Sequence, residues 1–397
     1  MPYPLETSTH NPFVFTSVRR CARRAASAED FFAASDDCYL VEAPAETVHI
    51  PPPDVYHGFG PETLIWNSYH GESKPYGDFS YQVTEQLTAK FHDVEIASGT
   101  FFPFVDTNLA ISDIYHGPKI IATHWNPYIV QANTDPNLQS DLLLRPRVST
   151  ALRIPEDVLS LDFLWNSYYY HFLIECLPKF LRVRDTPQFA AMPILWRMQS
   201  VPYIAHYLRA LGFWDRLIPM AGDVARCDRA YIMSPTSPNG WTRRGLMTLR
   251  EAIFPAFGIE PAARPHGMIL LSRRDAKSRR ILNEAALEAA LAPLGFNLVV
   301  PGELPVAEQI RLFADARLIV GPHGSAWANI VYGAAGAGML EIQPQGTNHP
   351  AMYSIAKLMG VNYGSYMCDQ LAPDGDMLVD VDRVVEMVRA LLELSPL

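Results

Sequence analysis

The chain is poor in cysteine: five among 397 residues (Cys21, Cys38, Cys176, Cys227 and Cys368), scattered and without a C-x-x-C pair. An odd, dispersed set of thiols is the usage of a reducing compartment, and it supplies neither a disulfide framework nor a structural zinc site. Cationic charge is also scarce, with 32 Lys and Arg against 42 Asp and Glu and a formal net charge of −10. A nucleic-acid backbone is normally met by a basic face, so no nucleic-acid partner is expected. There is no Asn-x-Ser/Thr sequon, no charged-then-apolar leader and no long uninterrupted apolar run. These absences exclude a glycosylated secretory protein and a transmembrane segment as expectations. The chain reads as cytoplasmic, with peripheral membrane association as its remaining route to a bilayer. A cluster of Arg19, Arg20, Arg23 and Arg24 is either a solvated helix face or a basic handle for an anionic surface.

What is present is ordinary globular material, 49% hydrophobic and 19% charged, long enough for two domains with their own cores. From Val48 to about Arg145, short aromatic and β-branched runs alternate with Pro, Gly, Asn and Asp, which reads as β-rich with many turns. From Asp157 onward, apolar runs alternate with amphipathic segments: strand "MPILWRM", helix "VPYIAHYLRALGF", strand "RAYIMS", helix "RRGLMTLREAIFPAFG". After a Pro-rich join the alternation restarts at "MILLSR" and continues to a closing helix "DVDRVVEMVRALLELS". Such alternation predicts parallel sheets with helices on both faces, here an α/β protein whose two domains face each other across a cleft. The expected division is a β-rich region at 1–150, part of or appended to an acceptor-side domain at 151–260, and a second α/β domain at 261–397. The last helix is expected to pack back on the N-terminal half.

Open α/β sheets place ligands at the carboxyl ends of their strands, and three segments carry suitable chemistry. The turn Gly321-Pro322-His323-Gly324-Ser325 stops an apolar strand and opens an apolar helix for which Ser325 is a candidate N-cap. It is either a tight core turn or an anion site built on a helix N-terminus with His323 at its mouth. The spacing is neither a dinucleotide fingerprint nor a P-loop. The run Ser272–Glu284 holds Arg273, Arg274, Lys277, Arg279 and Arg280 after the strand and before a helix capped near Asn283. Guanidinium groups at that place suit a diphosphate, which they grip bidentately. The segment "LWNSYYYHFLIECLPKF", read as a helix, puts His171 and Glu175 four apart on one face, with Lys179 next on the stripe. That pair is either a satisfied core histidine or an oriented general base. H-x-x-x-E lacks the second ligand group of a metal motif, so no metal site is expected.

Together and in this order, these segments resemble the family 61 glycosyltransferases, including the bacterial capsular-polysaccharide members. The matching residues are Tyr170-His171-Phe172-Leu173-Ile174-Glu175-Cys176-Leu177-Pro178-Lys179, Ser272–Glu284, Gly321–Asn329 and Glu341–Pro344. The resemblance implies a GT-B architecture of two Rossmann-like domains and inverting, metal-independent transfer from a nucleotide sugar, UDP-linked, to a glycan or polysaccharide acceptor, with no cofactor. It implies that Arg273, Arg279, His323, Gly324 and Ser325 hold the donor diphosphate and that Glu341, Trp327 and Asn329 face the donor sugar or nucleoside. The base is then Glu175 or His171. Two departures stand out. The family's Asn stands three before the motif histidine, where this chain has Tyr168, with Asn166 two residues earlier. The family's A-G-L is Ser325-Ala326-Trp327 here. A pyruvyltransferase or sugar-nucleotide epimerase of related fold, or a non-catalytic carbohydrate-binding protein, are the competing readings.

Overall fold

A computed structural model of the chain describes residues 5–10, 14–58, 63–67, 72–75, 79–97, 103–105, 109–111, 129–132, 142–144, 147–161, 166–197, 201–220, 224–234, 241–346 and 350–395. Trp165, in the segment read as a helix, and residues 112–128 of the stretch read as β-rich lie outside them. The chain divides into two compact units, each discontinuous in sequence. One comprises Met1–Glu46 and Thr84–Pro238, the other Thr47–Val83 and Asn239–Leu397.

The second unit is the more regular. In chain order the strands of its main sheet and its α-helices are β1 (Val55–His57), α1 (Arg243–Ala256), β2 (Gly267–Leu271), α2 (Glu284–Leu291), β3 (Asn297–Val299), α3 (Val306–Ala314), β4 (Ala316–Pro322), β5 (Gly338–Pro344), α4 (Ala351–Met359), β6 (Asn362–Cys368) and α5 (Val381–Leu394). The strands form one six-stranded sheet in the order β3-β2-β4-β5-β6-β1, and every pairing is parallel. The strand at its edge thus comes from residues 55–57, far upstream of the rest. Parallel strands buried on both faces need continuous apolar runs, and β4 and β5 are almost entirely buried. The closing helix α5 shows how the sequence specifies its face. Asp380 caps it by accepting from the Arg383 N–H, and Val384, Met387, Val388 and Leu391 are buried at helical spacing. Each such side chain contributes about 1.5–3 kcal/mol on burial. The helix lies against β5, β6, α2 and β1.

The winding of this sheet reverses between β2 and β4: the chain steps outward to β3, then crosses back past β2 to build β4, β5 and β6. At such a switch point the loops leaving neighbouring strands diverge and leave a crevice at their carboxyl ends. The two strands are also unusually close there, because a Cβ on Gly321 would lie 2.6 Å from the Leu271 Cβ. Only glycine admits that approach.

The first unit is built on a sheet of thirteen strands among the described residues. Its centre is the long pair Gln86–Ala97 and Val224–Met233, antiparallel. Beside them Arg147–Ser160, Ile194–Trp196 and Leu217–Pro219 continue the sheet in parallel. The helical segment His171–Arg184 follows the first of these parallel strands, and Pro202–Ala210 follows the second. Of the arginine cluster near the N-terminus, Arg23 bridges Asp30 at 2.8 Å and Asp36 at 3.0 Å, and Arg19 pairs with Glu85. Those pairings neutralise half of the basic handle. No described helix is long and apolar enough to cross a membrane.

Candidate functional site

Two clusters of chemically competent side chains emerge, one in each unit. The first sits at the switch point between β2 and β4. Past Leu271 the chain turns sharply, with the Ser272 hydroxyl donating to Glu284 at 2.9 Å and accepting from the Arg274 N–H at 3.2 Å. The five basic residues that follow have different fates. Arg280 is bound to Asp376 through its backbone N–H at 2.8 Å and its Nε at 2.7 Å, so it fastens this loop to the turn at Asp374–Asp376. Arg274 and Lys277 are exposed. Asn283 stands at the N-cap of α2 but its side chain does not cap; it exchanges hydrogen bonds with the Val379 backbone at 2.8 and 3.1 Å.

Arg273 and Arg279 are different: both are half-buried, and neither side chain forms an ion pair with any described residue. Arg273 donates from Nε to the Ser278 carbonyl at 3.3 Å. Burial, and then the neighbouring Arg279, push the Arg273 guanidinium below its ordinary range. Burial does the same to Arg279, opposed by attraction to Glu341. Arg279 also sits at φ 59°, in the left-handed region that an L side chain rarely adopts. Two desolvated, mutually repelling cations on a strained loop form an arrangement that an anion would relieve.

His323 leaves β4 with its Nδ1 2.6 Å from Glu341 Oε1. Glu341 is fully buried, and its other oxygen accepts from the Tyr363 hydroxyl at 2.7 Å and the Gln343 amide at 3.2 Å. The expectation that Glu341 receives sugar or ribose hydroxyls is therefore corrected: protein donors occupy its oxygens, and it holds the histidine. Tyr363, Gln343 and Ser365 were not singled out from sequence. Their signal was strand alternation, which puts Gln343 on the same face as Glu341 and Tyr363 on the same face as Ser365, with Ser365 opposite Glu341 in the register.

Gly324 is the floor of the cluster. A Cβ there would lie 2.0 Å from Arg273 Nη1, so the guanidinium rests on the bare backbone of the turn. The expected N-cap role of Ser325 is also corrected. Gly324 occupies the cap position in extended geometry, and Ser325 is the exposed first residue of a 3-10 segment, Ser325–Tyr332. Trp327 is fully buried, its indole N–H donating to the Pro322 carbonyl at 3.0 Å and its ring edge-on to Phe313 at 6.2 Å. It packs the turn from beneath and presents no surface to a ligand. Asn329, also buried, donates to Gln309 at 3.3 Å.

The second cluster lies in the first unit. The segment expected as a helix is one, but its first six residues, His171–Cys176, form a π-helix that passes into the α-helix Leu177–Arg184. Single π turns are frequent at functional sites. His171 Nδ1 lies 2.7 Å from Glu175 Oε2, with 26% of the histidine side chain exposed and 1% of the glutamate's. The buried carboxylate thus fixes the ring of a partly exposed histidine through Nδ1. Lys179 is buried and donates to the Leu161 carbonyl at 3.3 Å. Asn166 is buried and accepts from Arg197 at 3.3 Å, and the Tyr203 hydroxyl donates to the Ser167 carbonyl at 2.6 Å. Burial raises the Tyr203 phenol to about 12, which keeps that donor protonated.

Among the described residues no group of three or more His, Cys, Asp or Glu is placed to hold a metal ion. No curated protein matches the chain. Among solved structures the chain is similar to TibC from enterotoxigenic E. coli, described as a bacterial iron-containing dodecameric glycosyltransferase. The identity is 12% over 74% of this chain and 81% of that one, and the TM-score of 0.23 is too low to bear on the fold. Residues 169–340 match the family model described as Glycosyltransferase 61. That span contains His171 and Glu175 as well as Arg273, Arg279, His323 and Gly324, and over it the chain is similar to the family 61 glycosyltransferases.

Proposed function

We propose that the chain is an inverting GT-B-type enzyme that transfers a sugar from a UDP-linked donor to a hydroxyl of a glycan or polysaccharide. In this reading residues 261–397 bind the nucleotide sugar, residues 151–260 serve the acceptor, and the enzyme works in the cytoplasm. The resemblance to capsular-polysaccharide members supports the polysaccharide acceptor. One observation carries the donor assignment: Arg273 and Arg279 are half-buried at the switch point of a parallel sheet, with no ion-pair partner among the described residues. Half-buried cations in a low-dielectric crevice stabilise a diphosphate strongly, both bound and as it leaves.

The chemistry then follows from placement. His171 takes the acceptor proton on Nε2, because its Nδ1 faces Glu175 and the side chain is partly exposed. The buried Glu175 keeps the proton on Nδ1 and stabilises the imidazolium as it forms, the division of labour of a histidine–carboxylate pair. The acceptor oxygen bonds to the anomeric carbon from the face opposite the leaving group. The carbon–oxygen bond to the β-phosphate breaks, and its electron pair departs on the nucleoside diphosphate. Arg273, Arg279 and His323 receive that charge, with Glu341 fixing His323. Ser325 adds its backbone N–H at the start of the 3-10 segment, while Trp327 and Asn329 hold the turn in place.

Calorimetric titration with UDP tests the donor half of this reading. UDP is expected to bind and to raise the melting temperature, equally with and without EDTA, because guanidinium groups supply the counter-charge. Gly324→Ala is expected to weaken UDP about tenfold, a loss of about 1.4 kcal/mol. Its Cβ would displace only the flexible end of Arg273, so stability should change by less than about 1 kcal/mol. A variant that unfolds, or that binds UDP as well as the parent, overturns the floor role of Gly324. Absence of UDP binding by the parent protein removes the donor assignment.

A further inference from the structure

Tyr168 is unaccounted for by the chemistry above. With 60% of its surface exposed it is the most exposed large hydrophobic side chain among the described residues. Its surroundings are closed: Tyr170, Phe172, Leu173 and Tyr207 nearby are all buried. An isolated exposed aromatic is common on protein surfaces, so its position must carry the weight.

Three features of that position point to a ligand. First, the ring of Tyr168 lies edge-on to the ring of His171, with centroids 6.3 Å apart. Tyr170 walls the same histidine at 5.0 Å but is itself buried. A molecule that reaches the partly exposed His171 therefore meets the exposed Tyr168 ring beside it. Second, the backbone presenting Tyr168 is held. Its neighbour Ser167 receives the Tyr203 hydroxyl at 2.6 Å, Asn166 receives Arg197 at 3.3 Å, and the Tyr168 carbonyl accepts from the Phe172 N–H at 2.9 Å. An exposed ring on a fixed turn costs little further ordering when a ligand covers it. Third, Tyr168 stands where the family pattern has Asn, so the aromatic is a property of this chain.

We infer that Tyr168 is an acceptor subsite, a platform on which a pyranose ring lies with its C–H face on the phenol while one of its hydroxyls reaches His171 Nε2. The chemistry is complementary. The π face carries partial negative charge that attracts the polarised C–H bonds of a sugar, and the phenol tip remains available to a neighbouring hydroxyl. The class of ligand is thereby a neutral pyranoside, recognised by its apolar face. This inference rests on the assignment of His171 as base, and the experiment separates the two.

The protein labelled with 3-fluorotyrosine is titrated with a panel of methyl hexopyranosides, methyl pentopyranosides and their disaccharides, followed by fluorine NMR. The Tyr168 resonance is the one lost in Tyr168→Phe. At least one glycoside is expected to move it saturably, and the same glycoside is expected to bind Tyr168→Ala at least tenfold more weakly by calorimetry. His171→Gln should keep the shift, because it removes the base and leaves the platform. If no glycoside moves the resonance, or if Tyr168→Ala binds as well as the parent, the subsite is overturned. Undiminished turnover by His171→Gln would instead refute the base assignment, a result that the NMR titration does not share.

Discussion

Replacing His171 by Gln should lower kcat by about 10²–10⁴-fold, the usual contribution of a positioned general base, and leave the affinity for UDP unchanged. The proposed donor site is built from residues after β2 and β4, in the other compact unit of the chain. Stability should change little, since the ring is partly exposed. Glu175→Gln should cost nearly as much by a different route. The carboxylate accepts from Nδ1 and so holds the proton there, leaving Nε2 as the basic nitrogen. An amide can offer an N–H to Nδ1 instead, favouring the tautomer in which Nε2 carries the proton and cannot accept another. The variant also retains the shape of a fully buried side chain, so its loss of turnover would be chemical. Residues acting as a unit are not additive, and the double variant should therefore be scarcely slower than His171→Gln alone. Measured kcat for the three proteins under donor saturation checks this. Additive losses, or a Glu175→Gln enzyme at parent turnover, would break the pair apart.

That pair was legible in the sequence because its signal is local: a four-residue spacing on a helix needs no knowledge of tertiary structure. The direction of its work was not legible, because the spacing treats both partners alike. Only the burial of Glu175 against the partial exposure of His171 distinguishes the two, and the proposed division of roles rests on it. The strands and helices from Met268 onward were legible too, since runs of apolar residues separated by amphipathic segments leave few alternatives. The edge strand Val55–His57 was not, because parallel pairing to Asn362–Cys368 is a contact across some three hundred residues with no local trace. Among the five basic residues after β2, composition could not sort function from scaffold. Arg280 resembles Arg279 in sequence, yet one is bound to Asp376 and the other forms no ion pair with any described residue. Trp327 shows the reverse error. The resemblance implied a ligand contact for Trp327, and the turn instead folds over the indole, whose N–H donates to the Pro322 carbonyl.

Arg279 carries the sharpest consequence, because its removal should move binding and stability in opposite directions. Arg279→Gly should weaken UDP by about 1.5–3 kcal/mol, the worth of a hydrogen bond to a charged group, and raise the melting temperature of the free protein. Two costs disappear together. The backbone at φ 59° is strained for arginine and natural for glycine, and the repulsion that lowers the Arg273 pKa loses its source. Neither guanidinium titrates in the working range, so the gain is present across neutral pH and shows no window. Arg279→Ala separates the two costs: it removes the charge and keeps the strain, so it should lose the same affinity while gaining less stability than Arg279→Gly. Arg273→Ala should weaken UDP similarly, without the backbone term. Calorimetry with UDP and thermal melts of the three free proteins decide the matter. If all three destabilise the free protein, the arginines are scaffold and the diphosphate assignment falls. If they stabilise it while losing UDP, the strain and repulsion are held in place for the ligand, as expected where a fold keeps charge waiting for a partner.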